Sequence, residues 1–264
     1  MKIGFIGAGN MATAIIKGYL PQSQDTILAY DIDEEKMQKI VDLGVIATKS
    51  IEELVIEADY LFLAVKPQQF DTILPQIKAG MLSNPNIVLV SIAAGISSNY
   101  LKEQLQVDAK IVRVMPNTPL LLGCGATALS KILPTAEDEF QFVCHIFEVS
   151  GTIAIISEDC MNEVISVSGS TPAYIYEITK YFIQYATEHG IKEQVALELF
   201  SQTLIGAANM MTQSGNSLDQ LIEMVSSKGG TTIAGLQSFR SNHLEKIVWE
   251  ACEACTKRAY ELTK

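Results

Sequence analysis

The fold of this chain is decided by the stretch KIGFIGAGNMATAIIKGY, which occupies residues 2–19. Its opening has the apolar character of a short buried strand, and its second half repeats apolar residues at helical spacing. The segment between them reads G-x-G-x-x-A. Gly7 permits a tight turn from strand to helix, Gly9 lets a pyrophosphate approach the backbone, and Ala12 lets the helix pack closely on the strand. The stretch therefore predicts a dinucleotide-binding loop.

An acidic residue follows at the position that this motif requires. The apolar segment Thr26–Tyr30 is a predicted second strand, and Asp31 stands at its end, roughly 20 residues beyond Gly9, where an acid binds the ribose hydroxyls. A lone glycine motif is a weak signal, but the strand before it, the helix after it and this acid make it specific. The cofactor-binding residues predicted here are Ile6, Gly7, Ala8, Gly9, Asn10, Met11 and Asp31.

Strand and helix patterns continue to alternate up to residue 156. Further strands are predicted at residues 45–47, 60–65, 87–91, 110–114, 125–129 and 152–156. Helices are predicted between them at residues 33–43, 50–58, 68–76, 97–105 and 135–147. This alternation predicts an α/β fold of the Rossmann type, a doubly wound and mostly parallel sheet with helices on both faces.

In such a sheet, ligands bind beyond the carboxyl ends of the strands. The segments that follow three of the predicted strands, residues 64–67, 91–95 and 113–119, should therefore line the cofactor crevice. From them we assign to the cofactor Ala64, Val65, Lys66, Pro67, Ala93, Ala94, Gly95 and Asn117. Lys66 either contacts the cofactor or only ends its strand, and Arg113 pairs with an acidic neighbour if its role is structural.

From residue 157 onward the pattern changes, because no further clear strand follows. Helices are predicted at residues 158–189, 192–214, 217–224, 232–238 and 242–262. We therefore expect a dinucleotide-binding domain at residues 1–155 and an all-α domain at residues 156–264. Several of these helices, notably Ala196–Met211, are apolar nearly all round and exceed what a lone helical domain of this size can bury. The sequence thus predicts a homodimer, or a larger homo-oligomer, joined through the C-terminal half.

A second glycine-containing stretch, SSKGGTT at residues 226–232, lies between two of these helices. Its glycines let the backbone turn so that several N–H groups converge, the following helix adds the positive end of its dipole, and the hydroxyls add donors. A small carboxylate or phosphate would fit such a site. A linker between helices with a Ser/Thr cap explains the same residues equally well. The dinucleotide motif is what favours the anion site.

The composition limits the partners and the compartment. Acidic residues outnumber Lys and Arg by 30 to 19, which gives a formal net charge of −11 and argues against a nucleic-acid partner. The apolar runs are far shorter than the ~20 residues of a membrane-spanning helix, and no signal peptide is recognisable. Five cysteines without framework spacing are typical of a reducing compartment. A cytoplasmic protein with a small-molecule ligand and no membrane association is expected.

These segments resemble the pyrroline-5-carboxylate reductase family, whose enzymes complete proline synthesis. The resemblance rests on residues 7–12, 64–67, 113–119 and 226–236, and it covers nearly the whole chain. A fifth segment, residues 168–174, is similar to the family's helix-opening segment, although Thr171 stands where the family more often has glycine. The stretch at 226–236 is the most specific, since the first three segments recur in looser form in related dehydrogenases.

The resemblance implies a hydride transfer from NADH or NADPH to a five-membered cyclic imine that carries a carboxylate, which yields L-proline. A protonated imine is already a strong electrophile, so the protein mainly positions two rings and holds the carboxylate. By the resemblance, Thr232 and Ser227 are the catalytic residues, and Thr232 contacts the imine. The substrate-binding residues that it implies are Ser227, Gly229, Gly230, Thr231 and Thr232. No metal is expected, and the three histidines are assigned surface or core roles because they are far apart in sequence.

The residues and the resemblance disagree about the cofactor. Asp31, followed by Asp33, Glu34 and Glu35, would repel a 2′-phosphate and favour NAD(H), whereas the family commonly accepts NADP(H). Lys36 is the only cation nearby in the sequence. If the Asp31 side chain turned outward, the N–H groups of the first helix could still bind a phosphate, so NADP(H) and NAD(H) both stay open.

Two other functions are consistent with the sequence. A related 3-hydroxy-acid dehydrogenase would need a catalytic lysine early in the second domain, where Lys180 is the candidate. A protein that binds NAD(P) without catalysis would keep the same motifs. Cys252 and Cys255 have the spacing of a C-x-x-C pair, but they lie within a predicted helix and lack a second pair, so a packing role is favoured over a metal or redox role.

Overall fold

The computed structural model describes residues 1–263, and the chain in that range forms one eight-stranded sheet. Its strands are β1 (Lys2–Ile6), β2 (Thr26–Tyr30), β3 (Ile46–Ala47), β4 (Tyr60–Leu63), β5 (Val88–Ser91), β6 (Lys110–Met115), β7 (Gly125–Ile132) and β8 (Gly151–Ile155). They lie in the order β3-β2-β1-β4-β5-β6-β7-β8. All pairings from β3 to β6 are parallel, β7 runs antiparallel to β6, and β8 runs parallel to β7.

The helices that accompany the sheet cover both of its faces. They are α1 (Asn10–Tyr19), α2 (Glu34–Val41), α3 (Ile51–Glu57), α4 (Phe70–Met81), α5 (Ser98–Leu105) and α6 (Glu137–Glu148). Successive residues of a strand point to opposite faces, so neighbouring residues enter different apolar cores. Phe5 of β1 lies in the core that contains residues of α1 and α6, whereas Ile6 lies in the core that contains residues of α3, α4 and α5. The predicted doubly wound sheet is confirmed.

The direction in which strands are added to the sheet reverses next to β1, which lies between β2 and β4. Ile6 at the end of β1 pairs with Tyr30 at the end of β2 and with Leu63 at the end of β4. The carboxyl ends of these three strands therefore lie side by side. Parallel sheets bind ligands at such a switch point, because the loops on its two sides diverge and leave a crevice.

Beyond β8 the described chain is helical. A 3-10 turn at Glu158–Cys160 and one turn of π-helix at Ile165–Gly169 come first. The helices that follow are α7 (Thr171–Glu188), α8 (Glu193–Gln213), α9 (Leu218–Met224), α10 (Thr231–Ser241) and α11 (Leu244–Leu262). Together with the sheet, they confirm the prediction of a Rossmann-type part followed by an all-α part.

The prediction of one continuous helix over residues 158–189 is wrong for residues 158–170, because α7 begins only at Thr171. Hydroxyl groups before that point bond to nearby carbonyls. The Ser166 hydroxyl donates to the carbonyl of Glu163, and the Thr171 hydroxyl donates to the carbonyl of Ser166. Such bonds favour turns over continuous helix. Pro172 then suits the first turn of a new helix, where its missing N–H group costs no hydrogen bond.

The described chain forms two compact units. We call residues 1–172, together with the chain from Ala254 onward, the N-terminal unit, and we call residues 173–253 the helical unit. The sheet ends at Ile155, where the sequence predicts the domain limit, whereas the compact units divide after Pro172. α11 thus begins in the helical unit and ends in the N-terminal unit.

The two units differ in the apolar surface that they bury. In the N-terminal unit, Phe5 and Phe62 stack in the core with almost no exposed surface. In the helical unit, Ala196 is the only buried apolar residue, and large side chains such as Tyr181, Leu199 and Trp249 are more than half exposed. Among residues 1–263, none of the helices combines the length and the apolar character that crossing a bilayer requires.

Candidate active site

The turn between β1 and α1 is closed by a glycine that no other residue replaces without strain. Gly7 has a φ of +100°, in the left-handed region, and a Cβ atom there would lie 2.6 Å from the carbonyl oxygen of Ala64. Its N–H group donates to the carbonyl of Tyr30 at 2.8 Å, and the N–H group of Ala64 donates to the carbonyl of Ile6 at 2.9 Å. The loop is therefore fixed to the ends of both neighbouring strands.

The second glycine of the motif leaves space at the N-terminus of α1. Gly9 precedes the helix in an extended conformation, with φ −71° and ψ −177°, and makes no side-chain cap. A Cβ atom at Gly9 would meet nothing within 4 Å. The first N–H groups of a helix lack acceptors within that helix, and its dipole is positive at this end. The residues present therefore fit a pyrophosphate, which is what a dinucleotide would place here.

Asp31 turns toward this loop. Its Oδ2 atom accepts a hydrogen bond from the N–H group of Ala8 at 2.7 Å, and its Oδ1 atom accepts one from the N–H group of Asp33 at 2.9 Å. Each carboxylate oxygen can accept more than one hydrogen bond. The carboxylate is thus held in place and can still accept bonds from ribose hydroxyls. The outward orientation that would leave this position open to a phosphate is not the one observed.

Lys36, the cation closest to Asp31 in the sequence, is paired with another acid. Asp33 caps α2 by accepting a hydrogen bond from the N–H group of Lys36 at 3.2 Å, and the Lys36 ammonium lies 2.7 Å from Asp33 Oδ2. This hydrogen-bonded pairing raises the pKa of Lys36 and lowers the pKa of Asp33. The ammonium group therefore already has a partner at the surface.

Residues 64–67 follow β4 beside the glycine loop. Ala64, Val65 and Pro67 are half-buried, and Lys66 is exposed. The backbone N–H group of Lys66 donates to Oε1 of Gln69 at 3.1 Å, which caps the short 3-10 turn after the strand. The backbone of Lys66 thus ends the strand, and its side chain lies at the surface.

The predicted cofactor position after β5 is partly covered by the end of α11. Ala93 is buried and Ala94 is half-buried. Gly95 is buried too, with a φ of +74°, and a Cβ atom there would lie 3.1 Å from the carbonyl oxygen of Leu262. The need for glycine at this position is explained by packing within the N-terminal unit. A contact of these three residues with a cofactor stays a prediction.

Asn117, the predicted cofactor residue after β6, has two partners within the protein. Its Oδ1 atom accepts a hydrogen bond from the N–H group of Ala126 at 2.9 Å, and its Nδ2 atom donates to the carbonyl of Ser168 at 3.1 Å. The side chain is buried and connects β7 with the π-helical turn. The structure therefore gives Asn117 a structural role, and its contact with a cofactor stays a prediction.

The stretch 226–232 joins α9 to α10 in the helical unit. Gly229 has a φ of +75°, and Gly230 precedes α10 in an extended conformation, with φ −79° and ψ 167°. The N–H group of Gly230 donates to the carbonyl of Ser227 at 2.9 Å and closes the turn. Because the residue before α10 is a glycine without a side-chain cap, a Ser/Thr cap does not explain this stretch. The first N–H groups of α10 are left for a ligand or for water.

Hydroxyl groups lie on both sides of this helix start. Ser227, Thr231 and Thr232 are exposed in the chain. A Cβ atom at Gly230 would lie 2.5 Å from Oγ of Ser227, so the absence of a side chain at Gly230 lets that hydroxyl lie close to the helix start. The stretch offers backbone N–H groups, a helix dipole and hydroxyl donors, which together can bind a small carboxylate.

Sequence reasoning foresaw an acidic partner for Arg113 but missed the buried cluster to which the pair belongs. Arg113 of β6, which is 6% exposed, donates to Oε1 of Glu158 at 3.2 Å, so its expected pairing with an acid is confirmed. Ser98 at the start of α5 donates to the same carboxylate through its N–H group at 2.9 Å and its hydroxyl at 2.6 Å. Burial would raise the pKa of Glu158, but the bonds from Ser98 and the charge of Arg113 outweigh it and the pKa is lowered. No local pattern predicts this cluster, because its members are far apart in the sequence.

Other residues singled out in the sequence lie in unremarkable surroundings. Lys180 is exposed on α7 and donates to Glu177 at 3.0 Å, one turn earlier on the same helix. Cys255 lies 3.4 Å from the hydroxyl of Ser170, and all five cysteines are free thiols. Within the part of the chain that the structure describes, no group of three His, Cys, Asp or Glu side chains could hold a metal ion.

A fixed glycine turn with an open helix start, an acid held at the end of β2 and an all-helical second part define a class of protein. This class is the dinucleotide-dependent oxidoreductases whose Rossmann-type domain is followed by helices. Two family profiles agree with it. The profile of the NADP oxidoreductases described as coenzyme F420-dependent matches residues 2–95, and that of pyrroline-5-carboxylate reductase dimerisation matches residues 158–262.

Comparison with individual proteins narrows this class to one family. The chain is 37% identical over 264 residues to a pyrroline-5-carboxylate reductase of Haemophilus influenzae, covering 98% of this chain and 97% of that protein. It is 34% identical over 272 residues to the enzyme of that name from Staphylococcus haemolyticus, covering 100% of this chain and 98% of the relative. The chain belongs to the pyrroline-5-carboxylate reductase family, as its sequence motifs predict.

A solved structure supports the same assignment. The crystal structure of a pyrroline carboxylate reductase from Plasmodium falciparum with NADP bound superposes with a TM-score of 0.90 at 28% identity, covering 100% of this chain and 98% of that chain. The similarity therefore extends over the Rossmann-type part and the helical part, and the relative carries a nicotinamide dinucleotide of the predicted kind.

Proposed function

We propose that this chain reduces 1-pyrroline-5-carboxylate to L-proline with NADH or NADPH, the last step of proline biosynthesis. The observation that carries this proposal is the start of α10, where Gly229 and Gly230 leave backbone N–H groups and hydroxyls available to a small carboxylate. Membership of the family supports the identity of that carboxylate as a cyclic imino acid.

The cofactor is assigned to the crevice at the ends of β1, β2, β4 and β5 in the N-terminal unit. The glycine loop and the start of α1 bind the pyrophosphate, and Asp31 accepts hydrogen bonds from the adenosine ribose. The cofactor-binding residues in this proposal are Ile6, Gly7, Ala8, Gly9, Asn10, Met11, Asp31, Ala64, Val65, Lys66, Pro67, Ala93, Ala94, Gly95 and Asn117. When bound, the nicotinamide supplies the hydride for the reaction.

The substrate is assigned to the stretch 226–232. Its carboxylate receives hydrogen bonds from the N–H groups at the start of α10 and from the hydroxyls of Ser227 and Thr231, with Gly229 and Gly230 shaping the turn. The Thr232 hydroxyl accepts a hydrogen bond from the protonated imine nitrogen. Both contacts restrict the rotation of the ring, which converts binding free energy into correct orientation of the imine carbon.

The hydride-transfer step does not require the protein to supply a proton. The imine enters protonated on nitrogen, and one hydride added to its carbon leaves a neutral secondary amine. The amine takes its second proton from water afterwards, outside the hydride-transfer step. No further proton transfer is needed in that step, so the exposed hydroxyls of Ser227 and Thr232 position the substrate and need not act as general acids. This agrees with a substrate site built from neutral donors.

The reaction is tested by following loss of the reduced cofactor in the presence of pyrroline-5-carboxylate, with an open-chain keto acid as the control substrate. We expect oxidation of NADH or NADPH with the imine alone, accompanied by stoichiometric L-proline. Oxidation of the reduced cofactor by the keto acid, or reduction of the oxidised cofactor by a hydroxy acid, would instead indicate the related dehydrogenase reaction. Cofactor binding without any imine-dependent oxidation would indicate a protein that binds NAD(P) without this catalysis.

We also propose that residues 1–155 serve as the dinucleotide domain, and that residues 156–264 bind the substrate and join two copies of the chain. The exposed apolar side chains of the helical unit support this, because a stable soluble protein rarely leaves so many in water. The dimerisation profile covers the same region of the sequence. A second copy of the same chain is the proposed cover, and larger assemblies can be built on that dimer.

The dimer is tested by sedimentation equilibrium at micromolar concentration. Leu199 on α8 is 63% exposed in the single chain, and Leu82 after α4 is 85% exposed in the N-terminal unit. We expect Leu199→Glu to shift the protein toward monomer and the matched control Leu82→Glu to leave its mass unchanged. A wild-type chain that sediments as a stable monomer would contradict the proposal.

The remaining assignments concern the partners and the location of the protein, and they rest on the substrate class and on the composition of the chain. A small-molecule substrate and an acidic chain of net charge −11 support a protein without a nucleic-acid partner. Five free cysteines support a reducing compartment, for which we propose the cytoplasm. Fractionation of cells that express the tagged chain checks this location.

A further inference from the structure

The end of β2 carries a carboxylate that is oriented by the backbone itself. Asp31 accepts hydrogen bonds from the N–H groups of Ala8 and Asp33, one on each oxygen. The first bond ties it to the glycine loop, and the second ties it to the start of the next loop. Because the two backbone donors fix its direction, the Asp31 carboxylate is held beside the dinucleotide crevice.

The adenosine ribose of NAD(H) and the phosphorylated ribose of NADP(H) make opposite demands on this position. A ribose diol offers two O–H donors, which a carboxylate accepts. A 2′-phosphate offers only acceptor oxygens and a negative charge of nearly two, so it needs donors and cations. A carboxylate fixed at this position satisfies the first requirement and opposes the second.

The surrounding side chains do not provide the compensation that a phosphate needs. Ile32, directly after Asp31, is 79% exposed and has no donor in its side chain. The ammonium of Lys36 is already paired with Asp33 at 2.7 Å. Glu34 and Glu35 add two more exposed carboxylates at the start of α2. A phosphate at this position would meet several negative charges and one cation that is already paired.

One more cation lies at the end of the neighbouring strand. β3 pairs with β2 through Ala47 and Ala29, and Lys49 follows two residues after this pair, as Asp31 does on β2. The N–H group of Lys49 donates to a carboxylate oxygen of Glu53 at 2.7 Å, so an acid lies close to this lysine too. Lys49 and Glu53 together therefore add no net charge to this edge.

We propose that Asp31 makes this chain selective for NAD(H) over NADP(H). The inference rests on the proposed function, since it requires a nicotinamide dinucleotide at the loop of residues 7–12. It is specific to the residues at the end of β2, and it differs from what the NADP-bound relative would suggest by similarity alone. It makes a carboxylate, held before any ligand arrives, the group that discriminates between the two cofactors.

Equilibrium binding to the wild-type protein is the first test. Isothermal titration calorimetry with NADH and NADPH is expected to give a dissociation constant at least tenfold lower for NADH. The fragments 5′-AMP and adenosine 2′,5′-bisphosphate should show the same preference, because the discrimination lies at the ribose. Raising the ionic strength should narrow the ratio, since exposed charges are screened. Equal or tighter binding of NADPH to the wild-type protein would overturn the inference without any variant.

A pair of variants assigns the effect to Asp31. Asp31→Asn removes the charge and keeps the size, and we expect it to narrow the ratio of the two dissociation constants at least tenfold, with tighter NADPH binding. The control Glu34→Gln removes the same charge from an exposed residue three positions later and should change the ratio less than threefold. If both variants narrowed the ratio equally, the total charge of the region and not Asp31 would set the preference, and the inference would be wrong.

This test separates the inference from the proposed function. Selective NADH binding without any imine-dependent oxidation would remove the proposed reaction and leave the selectivity of Asp31 in place. Imine-dependent oxidation with tighter binding of NADPH would keep the reaction and remove the selectivity. Thermal unfolding of Asp31→Asn with and without NADH shows whether that variant is folded, and the wild-type titrations decide the question if it is not.

Discussion

The two glycine-containing turns of this chain begin a helix with nearly the same backbone but are supported in opposite ways. Gly9 and Gly230 both precede their helix in an extended conformation without a side-chain cap. Gly7 and Gly229, earlier in each turn, both have positive φ. A side chain at Gly7 would collide with the carbonyl of Ala64, whereas a side chain at Gly229 would meet nothing within 4 Å. The first turn is held by a core, and the second is held only by its own backbone.

The difference shows how the same local chemistry serves two ligands. Around the first turn, Ala8 and Ala12 are buried, so the N–H groups of α1 are fixed before any cofactor binds. Around the second, Thr231 and Thr232 are exposed in the single chain. A side chain at the closing glycine of the first turn should therefore reduce stability strongly, whereas loss of a hydroxyl in the second turn should mainly reduce catalysis.

Replacing Gly7 should have the largest effect on folding. Gly7→Ala places a methyl group against the carbonyl of Ala64 in a left-handed conformation, and we expect the free energy of unfolding to fall by about 2–4 kcal/mol. Urea unfolding followed by circular dichroism measures the change. The control Gly9→Ala adds its methyl group to open space, so it should change stability by less than about 1 kcal/mol while weakening NADH binding. A Gly7→Ala protein as stable as wild type would contradict the comparison.

Removing a paired negative charge should also reduce stability more in the N-terminal unit than in the helical unit. Glu158 in the N-terminal unit compensates the buried Arg113, so Glu158→Gln should lower the free energy of unfolding at pH 7 by roughly 1–3 kcal/mol. The control Glu177→Gln removes an exposed pairing with Lys180 on the helical unit and should change stability little. If both substitutions changed the free energy of unfolding equally, burial of the Arg113–Glu158 pair would add no stability.

The effect of Glu158 should also depend on pH. Its pKa in the folded protein lies below the ordinary value for glutamate, because the bonds from Ser98 and the charge of Arg113 outweigh its burial. A lowered pKa contributes stability that is fully present above the unfolded pKa of ~4.3 and is lost as the pH falls through the folded pKa. The stability difference between wild type and Glu158→Gln should therefore shrink below about pH 4. Urea unfolding at pH 7 and at pH 3.5 measures it, and a constant difference would contradict the role of the charge.

Thr232 is where the second turn should affect catalysis. Thr232→Ala removes the hydroxyl proposed to contact the imine, and we expect kcat/KM for pyrroline-5-carboxylate to fall about tenfold or more, with little change in melting temperature. The control Ser238→Ala removes a hydroxyl farther along α10 and should leave kcat/KM within about twofold. A Thr232→Ala enzyme within about threefold of wild type, under ~1 kcal/mol of transition-state stabilisation, would remove this assignment.

Gly229 should show the smallest effect. Gly229→Ala keeps open space around its methyl group but forces a left-handed conformation, so we expect a loss of about 1 kcal/mol in the free energy of unfolding. The control Gly235→Ala lies inside α10 without a positive φ, and a helical alanine should stabilise by about 0.5–1 kcal/mol. If both variants changed the free energy of unfolding in the same direction, the positive φ of Gly229 would not be the reason that this position needs glycine.

Elements with a strong local pattern were predictable from the sequence. The buried strands β4 and β5 read as continuous apolar runs because both faces of a parallel sheet are covered. The glycine loop and Asp31 were found at their expected spacing because that motif lies within a short βαβ segment. The limits of α4 were less accurate: the helix continues to Met81, five residues beyond the predicted end, because residues such as Ile77 pack into the core.

Features that depend on distant residues, or on a close competition between two local structures, were not predictable. The interruption before Thr171 comes from hydroxyls that bond to nearby carbonyls, which compete closely with a helix that the apolar pattern alone favours. The packing of Leu262 against Gly95 joins residues that are far apart in the sequence. The roles of Ser227 and Thr232 stay predictions, because an exposed turn in a single chain shows which donors it offers and not what binds to them.

The sequence by itself determined the Rossmann-type fold, the helical second half and the family, because each depends on residues close together in the chain. Only the tertiary structure decided how the charged side chains are used. It turned Asp31 toward the glycine loop by bonding it to Ala8, and it brought Glu158 to the buried Arg113. A carboxylate has the same local pattern whether it faces solvent, a ribose or a buried cation. Its direction is set by hydrogen-bond donors that folding brings from other parts of the chain.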